Sequence, residues 1–401
     1  LLFAQDTGTL LLQQPDMNDT HIAFIYGADV WIVEIGQDQA QRITSTAAVE
    51  SDPHLSIDGQ SIAFTSDRSG TPSVYVVGIE GGTPERLTFH PAGAMARGWS
   101  PDGTRVYYAS SRDTAPVGHH RIWSVDKDGG PETLTSEQWA TNAQYSPDGG
   151  SLVIDRVRRW DKEWRVYRGG QNTPLSILNL EDNSEVLLPN QHTTDIHPLW
   201  MGDHIYFLSD RDSTMNVWRY HIPTQEVAQI TRFRGADIKH LASNSTHLLF
   251  ERNGAFHRLD LATNESSPLS IRVSGDFPWA EKKWENVSKS VRDVSLSPTG
   301  KRAVMESRGE IFTVPLQYGN ARNITNTAGA ADRRPVWSPK GDRIAWFTDE
   351  GGDGYVLRVT SQDGFSEAKD YALGESTLGW EPAWSPDGKF LAFNDDDVRV
   401  R

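Results

Sequence analysis

The sequence predicts an all-β protein: a six-bladed β-propeller followed by the first blades of a second β-propeller. The main observation is a turn motif, Ser-Pro-Asp-Gly after an apolar residue, which recurs roughly every 40 to 55 residues, a period typical of four-stranded blades. Close copies occupy residues 99–103, 145–149, 337–341 and 384–388, and looser copies occupy 55–59 and 296–300. The second observation is an alternating apolar run after each turn, such as Arg105-Val106-Tyr107-Tyr108, which is typical of a strand.

One repeat accounts for four strands. Pro fixes φ and Gly takes the positive φ in the turn, so the flanking strands form a hairpin. A third strand such as Val74–Val77 follows, and then a Gly-rich turn and a short strand ending in Leu-Thr or Ile-Thr, as at Arg86-Leu87-Thr88. Because one such sheet cannot bury both of its faces, neighbouring repeats are expected to pack around a common axis.

The repeats divide the chain into four segments. We expect a signal-peptide remnant or flexible start at residues 1–9, the six-bladed propeller at 10–272, a linker at 273–290, and about three blades of a truncated second propeller at 291–401. Leu10-Leu11-Leu12 is the predicted first inner strand, and each blade of the first ring takes its strands from one contiguous segment, so packing alone would close the ring. A single ring of seven or eight blades is the competing prediction.

Composition excludes several classes of protein. The formal net charge of -15 is opposite to the basic footprint of a nucleic-acid-binding domain. No apolar run is long enough to span a bilayer, and the absence of Cys excludes disulfides and thiol chemistry. The opening Leu1-Leu2-Phe3-Ala4 resembles the end of a signal peptide, which predicts a periplasmic or secreted protein, with a cytoplasmic one as the alternative.

No set of residues forms a credible catalytic centre. Ser100 superficially resembles a nucleophile elbow, but the second Gly of its motif comes one residue too late and no strand-to-helix context is present. His119-His120, and His192 with His197, lack a Cys or carboxylate at ligand spacing. We therefore expect no catalytic residue, metal or cofactor within this chain.

One segment departs from the blade pattern: from residue 157 a Trp- and Arg-rich run leads into Tyr167-Arg168-Gly169-Gly170. It resembles a stretch of the bacterial tricorn-like proteases, which are serine peptidases of the S41 family. The opening Leu11–Asp16, the linker Trp284–Ser290 and the strand region Ser307–Pro315 resemble that family as well. The resemblance covers nearly the whole chain, and these segments are more specific than the turn motif, which many unrelated propellers share.

The resemblance implies a six-bladed propeller, a seven-bladed one, and then a PDZ domain flanked by peptidase domains. This chain would hold the first propeller and part of the second, so the peptidase nucleophile would lie beyond Arg401. The implied function is a non-catalytic gate or scaffold for peptides, which are the implied partners together with the protein's own C-terminal PDZ and peptidase domains. Archaeal members form hexamers, so a homo-oligomer is an implied state of the full-length protein.

Arginines are the candidates for peptide binding, because a guanidinium holds a carboxylate with two hydrogen bonds. Arg158, Arg159 and Arg168 are candidates in the basic-aromatic segment. The alternative is that they pair with carboxylates and stack on Trp side chains to brace an insertion. Archaeal tricorn proteins anchor product carboxylates with two adjacent arginines. The matching region here contains only Arg97, so the adjacent pair is not reproduced.

The inner strand of each blade starts near the axis, so residues three positions before its apolar end are candidate channel-wall residues. They are Asp52, Asn142 and His197, with Ala96 and Ile238 at the equivalent positions. Such small or polar residues suit a water-filled passage, although a shift of one residue would reverse the face of the strand.

Two other classes of function remain open, because fold does not settle function. One is an interaction propeller of the kind that accompanies Tol-Pal envelope complexes. The other is the propeller cap of a prolyl-oligopeptidase-like or amidohydrolase enzyme.

Overall fold

The protein is all-β, which confirms the predicted fold class. The computed structural model describes residues 8–156, 168, 172, 174–277, 284–327, 329–351, 354–374, 378–395 and 399–401. Apart from one 3₁₀ turn, Val287–Lys289, the regular elements of these residues are strands. They form two compact units, the first within 8–233 and 237–276 and the second within 284–401 together with 234–236 and Phe277.

The described residues of the first unit form six four-stranded antiparallel sheets, each from consecutive strands. Sheet 1 holds β1 (Gln13–Met17), β2 (His21–Tyr26), β3 (Asp29–Glu34) and β4 (Gln41–Arg42), and sheet 2 holds β5 (Glu50–Leu55), β6 (Ser61–Ser66), β7 (Ser73–Gly78) and β8 (Gly81–Arg86). Sheet 3 holds β9 (Met95–Trp99), β10 (Arg105–Ser110), β11 (Arg121–Asp126) and β12 (Thr133–Trp139), and sheet 4 holds β13 (Asn142–Tyr145), β14 (Ser151–Asp155), β15 (Ser176–Asn179) and β16 (Glu185–Leu187). Sheet 5 holds β17 (Asp195–Met201), β18 (His204–Asp212), β19 (Thr214–His221) and β20 (Glu226–Gln229), and sheet 6 holds β21 (Lys239–Ser243), β22 (His247–Arg252), β23 (Ala255–Asp260) and β24 (Ser266–Leu269).

The second unit repeats this pattern. Sheet 7 holds β25 (Val291–Leu296), β26 (Arg302–Ser307), β27 (Glu310–Pro315) and β28 (Arg322–Asn323), and sheet 8 holds β29 (Arg333–Trp337), β30 (Arg343–Thr348), β31 (Val356–Ser361) and β32 (Lys369–Ala372). Among the described residues, sheet 9 consists of β33 (Gly379–Trp384) and β34 (Leu391–Asp395). The domain boundaries that the repeats suggested stay predictions.

The predicted turns join the first two strands of the sheets. In Ser-Pro-Asp-Gly at residues 100–103, the Ser100 hydroxyl donates to Asp102 Oδ1 at 2.6 Å and accepts from the Arg105 amide at 3.0 Å. Gly103 takes a φ of 70°, which glycine adopts without steric cost. The hydroxyls of Ser146 and Ser385 repeat the contact with an aspartate two residues on, at 2.5 and 2.7 Å. The motif therefore specifies its turn through local hydrogen bonds.

Apolar side chains fill the spaces between neighbouring sheets of the first unit. One cluster joins sheets 1 and 2 around Phe64, another joins sheets 2 and 3 around Tyr108, and similar clusters follow between the later sheets. Between sheets 6 and 1 the rings of Phe24 and Phe256 meet edge to face at 5.7 Å. The inner strands β1, β5, β9, β13, β17 and β21 contact one another in this order, and β21 contacts β1. The six sheets thus surround a common axis.

Backbone hydrogen bonds, in addition to packing, join sheets 1 and 6. The Ala40 amide donates to Arg272 O at 2.9 Å, and the Arg272 amide donates to Asp38 O at 2.6 Å. The Leu11 amide donates to Gly254 O at 2.6 Å, and Leu11 has a φ of 68°. The prediction of Leu10–Leu12 as the first inner strand was therefore wrong, because this segment bonds to sheet 6 and β1 begins later.

Within the described parts of the chain, no helix combines the length and the hydropathy needed to cross a membrane.

Candidate functional site

A polar residue forms a bulge in the inner strand of three sheets of the first unit. In β1, β5 and β17, two residues lie opposite one residue of the partner strand. The first of the two has a φ of 50 or 51°, and the second is Pro. Pro, which cannot donate a ladder hydrogen bond, is tolerated at bulges, and a bulge re-aims the neighbouring side chain. The bulge residues are Gln14-Pro15, Asp52-Pro53 and His197-Pro198.

The other three inner strands differ in detail. In β9 the extra residue is Arg97, and the Gly98 that follows has a φ of 142°. In β21 the extra residue is His240, with a φ of 50°. Strand β13 has no bulge, and its first residue, Asn142, pairs in register with Asp155. Each inner strand therefore places one polar side chain at an equivalent level.

These six side chains line one cavity of about 680 Å³, which we call the channel. Asp16, Tyr145 and Trp200 also line the channel. At this level of the channel, the six side chains that face the axis carry amide, imidazole or charged groups. The channel can therefore hold water or a polar chain.

The structure shows which of the sequence-predicted wall positions reach the channel. Asp52, Asn142 and His197 line it. Ala96 and Ile238 do not, because both are buried among the sheets, at 0% and 2% exposure. The bulges turn Arg97 and His240 towards the axis instead.

Of the six side chains at the equivalent level, Gln14 and His240 were not among the candidates predicted from the sequence. A Pro directly after a polar residue near the start of an inner strand could have identified Gln14, since the same pattern occurs at Asp52 and His197. His240 is followed by Leu241, so no such signal exists there.

Arg97 connects three sheets across the channel wall. Its Nε donates to Thr141 O at 2.8 Å, one Nη donates to Ala96 O at 2.7 Å, and the same Nη lies 3.1 Å from Asp52 Oδ1. Burial acts to raise the pKa of Asp52, but the Arg97 guanidinium and His54 outweigh it and hold this pKa below its usual value. The contacts of Arg97 therefore brace the wall.

Two channel histidines, His54 and His197, are kept neutral by their surroundings. Burial lowers the pKa of His197 to about 3, and the neighbouring His240 and Arg97 act in the same direction. The rings of His197 and His240 lie 5.1 Å apart, and His240 Nδ1 lies 3.2 Å from Glu251 Oε2. Burial likewise lowers the pKa of His54 to about 4.

Side chains of sheet 1 accept hydrogen bonds from backbone amides of the inner strand of sheet 2. Gln14 Oε1 accepts from the Asp52 amide at 2.7 Å, and Asp16 Oδ2 accepts from the Leu55 amide at 2.7 Å. Asp16 carries no ion pair within the described residues, and burial raises its pKa to about 7. Sheets 1 and 2 are thus joined at the channel wall by hydrogen bonds from backbone to side chain.

Comparison with known proteins decides the family. The sequence model described as "Tricorn protease N-terminal beta propeller domain" matches residues 9–265, which is more than half of the chain. The chain belongs to the tricorn protease N-terminal propeller family. This tricorn propeller is 28% identical over 414 residues to Tricorn protease homolog 1 of Streptomyces coelicolor, an alignment that covers 99% of this chain and 38% of the relative.

Archaeal relatives and a solved structure agree with this assignment. The tricorn protease of Thermoplasma acidophilum is 24% identical over 314 residues, which cover 75% of this chain and 28% of that protein. A crystal structure of the tricorn protease superposes with a TM-score of 0.60 at 20% identity and covers 98% of this chain and 39% of that one, which shows the shared fold. The chain thus spans less than two-fifths of the length of the relatives it matches.

Of the three candidate arginines for peptide binding in the basic-aromatic segment of this tricorn propeller, the structure describes one, Arg168. Arg168 lies with one Nη 3.0 Å from Asp210 Oδ2 and the other 3.1 Å from Asp210 O, which is a bracing contact. Arg156, at the start of the same segment, pairs with Glu185 at 2.5 Å and stacks over Trp139. Arg158 and Arg159 lie outside the described residues, so their role stays a prediction.

The hydroxyl of Ser100 is held within its turn by Asp102 and Arg105, so the resemblance to a nucleophile elbow has no structural counterpart. Among the described residues, no group of three or more His, Asp or Glu side chains has the geometry of a metal site. His119 stacks on Trp139, with ring centroids 5.0 Å apart. The channel remains the candidate site.

Proposed function

We propose that this chain is the non-catalytic propeller region of a tricorn-type serine peptidase and that its channel gates or conducts peptides. The channel carries the proposal: each of six inner strands contributes at least one polar side chain to a cavity of about 680 Å³. Amides and the neutral imidazole of His197 can exchange hydrogen bonds with a passing peptide backbone, and such weak, repeated contacts allow both entry and release.

The same proposal includes the catalytic partners. Family membership and the 38% coverage of a curated relative favour PDZ and peptidase domains elsewhere in the full-length protein, which act on the peptides that the propeller admits. Assembly into a homo-oligomer and a periplasmic or extracellular location belong to the proposal too, and mass measurement and cell fractionation of the full-length protein would test them. Membership of the tricorn family favours this function over a Tol-Pal-type or oligopeptidase-cap propeller.

A variant that narrows the channel tests the proposal. Asn142 lies on the channel wall, where its Oδ1 accepts from the Ala143 amide at 2.9 Å. Asn142→Trp adds an indole to the channel, and we expect it to weaken binding of short labelled peptides by about tenfold, or ~1.4 kcal/mol. Fluorescence anisotropy measures the binding, and no hydrolysis of the peptides is expected from either protein.

Glu181→Trp is the matched control, because Glu181 lies in an exposed turn away from the channel. It should bind peptides as the unsubstituted chain does, and the melting temperatures of both variants should stay close to that of the parent. Peptide binding that survives Asn142→Trp, or turnover that a substitution within this chain abolishes, would rule the proposal out.

A further inference from the structure

Sheets 1 and 6 enclose a second cavity of about 280 Å³, which we call the seam pocket. Its floor is apolar: Met17, Ile22, Val33 and Ile271 are buried with exposures of 4% or less. Ligand sites are typically concave and mostly apolar, with few polar groups that fix orientation. By its size the seam pocket suits a ligand of about ten non-hydrogen atoms.

Four ionisable side chains complete the lining: Asp19, Glu34, His247 and Arg258. Asp19 Oδ1 accepts from the Ser245 amide and hydroxyl, at 3.1 and 2.7 Å. His247 Nδ1 lies 2.8 Å from Thr246 Oγ1, and its Nε2 lies 3.7 Å from Asp260 Oδ2. Within the described chain, neither the Glu34 carboxylate nor the Arg258 guanidinium has a hydrogen-bond or ion-pair partner.

The position of Arg258 in strand β23 directs its side chain towards sheet 1. Side chains alternate along β23, so Arg258 shares the face of Phe256, whose ring packs on Phe24 of sheet 1. Arg258 is half-buried at this face and lines the pocket. A guanidinium with unused donors beside an apolar floor is suited to a carboxylate.

We propose that the seam pocket binds a free α-amino acid with an apolar side chain. The carboxylate of the ligand pairs with Arg258, its ammonium group faces the Glu34 and Asp19 carboxylates, and its side chain packs on Ile22 and Val33. A simple monoanion would meet two carboxylates without an ammonium group to offset them, which favours the zwitterion. The seam pocket shares Met17, Asp19, Asn244 and Ser245 with the wall of the channel. The proposal does not rest on the passage of peptides.

Calorimetric titration of the 401-residue chain with three small molecules tests the proposal. L-Leucine carries both charges, 4-methylpentanoate lacks the ammonium group, and 3-methylbutylamine lacks the carboxylate. We expect leucine to bind with a dissociation constant of about 1 mM. The dissociation constants of the other two molecules should be at least about fivefold higher. No saturable binding of leucine, or equal binding of leucine and 4-methylpentanoate, would overturn the proposal.

Substitutions then locate the site. Arg258→Met should weaken leucine binding by about tenfold, Arg258→Lys by less, and Glu34→Gln by about threefold. Glu34 is exposed, so Glu34→Gln gives a readout even where Arg258→Met does not fold. Arg219→Met is the matched control, since Arg219 holds the equivalent place in the third strand of sheet 5 and does not line the seam pocket. Leucine affinity unchanged by both Arg258→Met and Glu34→Gln would exclude the assignment.

Discussion

His54 and His197 in the channel wall become protonated at lower pH in the folded chain than in the unfolded chain. Both imidazoles are half-buried, and burial lowers their pKa values to about 4 and about 3. In an unfolded chain the pKa of histidine lies near 6.5. Below this value the unfolded chain therefore binds protons that the folded wall does not accept.

The stability that the two histidines contribute is accordingly expected to fall as the pH drops from about 6.5 to about 4, because their folded pKa values lie below the unfolded ones. The raised pKa of Asp16 acts in the opposite direction, so the contribution of the histidines is taken from the difference between variants. At pH 5, relative to pH 7, the loss should be about 1 kcal/mol for each of the two histidines, after allowance for their partial contact with solvent. Urea unfolding at the two pH values measures it. His197→Gln should remove part of the difference, whereas His90→Gln, outside the channel, should leave it intact. An equal pH dependence in both variants would contradict this account.

Bulges turn wall residues of five inner strands towards the channel, and the bulge of β9 differs from the others in its glycine. At Gly98 the φ of 142° allows the strand to continue after Arg97, and the buried Tyr107 packs directly against the glycine. A Cβ at this position would lie 2.6 Å from the Tyr107 hydroxyl and 2.8 Å from Cζ of its ring. Only glycine fits here without displacement of a buried side chain.

Gly98→Ala should therefore destabilise the protein by about 3 kcal/mol, the sum of overpacking and backbone strain. The matched control is Gly82→Ala in the outer strand β8, where φ is 116° and no atom lies within 4 Å of the added Cβ. It should cost about 1 kcal/mol, because only the backbone term remains. Denaturant unfolding of both variants measures the difference. Equal losses would mean that the contact with Tyr107 is not restrictive.

The sequence predicts the turns well and the bulges poorly, for a physical reason. A Ser-Pro-Asp-Gly turn makes its hydrogen bonds within itself, so its residues suffice to predict it. A bulge exists only relative to the partner strand, so the spacing placed Ala96 and Ile238 at the wall where the structure has Arg97 and His240. The start of β1 depends in the same way on a distant partner, because Leu11 bonds to Gly254.

At the scale of the whole chain, the two units differ in how well their first inner strand is covered. In the first unit, β1 contacts strands on both sides. Leu12, which directly precedes β1, and Met17 at its end are 1% and 4% exposed. In the second unit, β25 presents Val294 and Leu296 with exposures of 57% and 60%. Apolar side chains that stay exposed do not contribute the free energy that burial would supply. We therefore expect the second unit to be less stable than the first.

Thermal unfolding of the 401-residue chain should therefore show two transitions, the lower from the second unit. Ile271 lies between sheets 1 and 6 at 1% exposure, and Ile344 lies in the core of sheet 8 at 0%. Ile271→Ala should shift only the upper transition to lower temperature, and Ile344→Ala only the lower one. Each substitution should reduce the free energy of unfolding of its unit by about 3 kcal/mol, because it removes packing from one core. A shortened chain of residues 8–277 should retain the upper transition. Differential scanning calorimetry makes the comparison, and a single transition that both substitutions shift alike would show that the two units unfold as one.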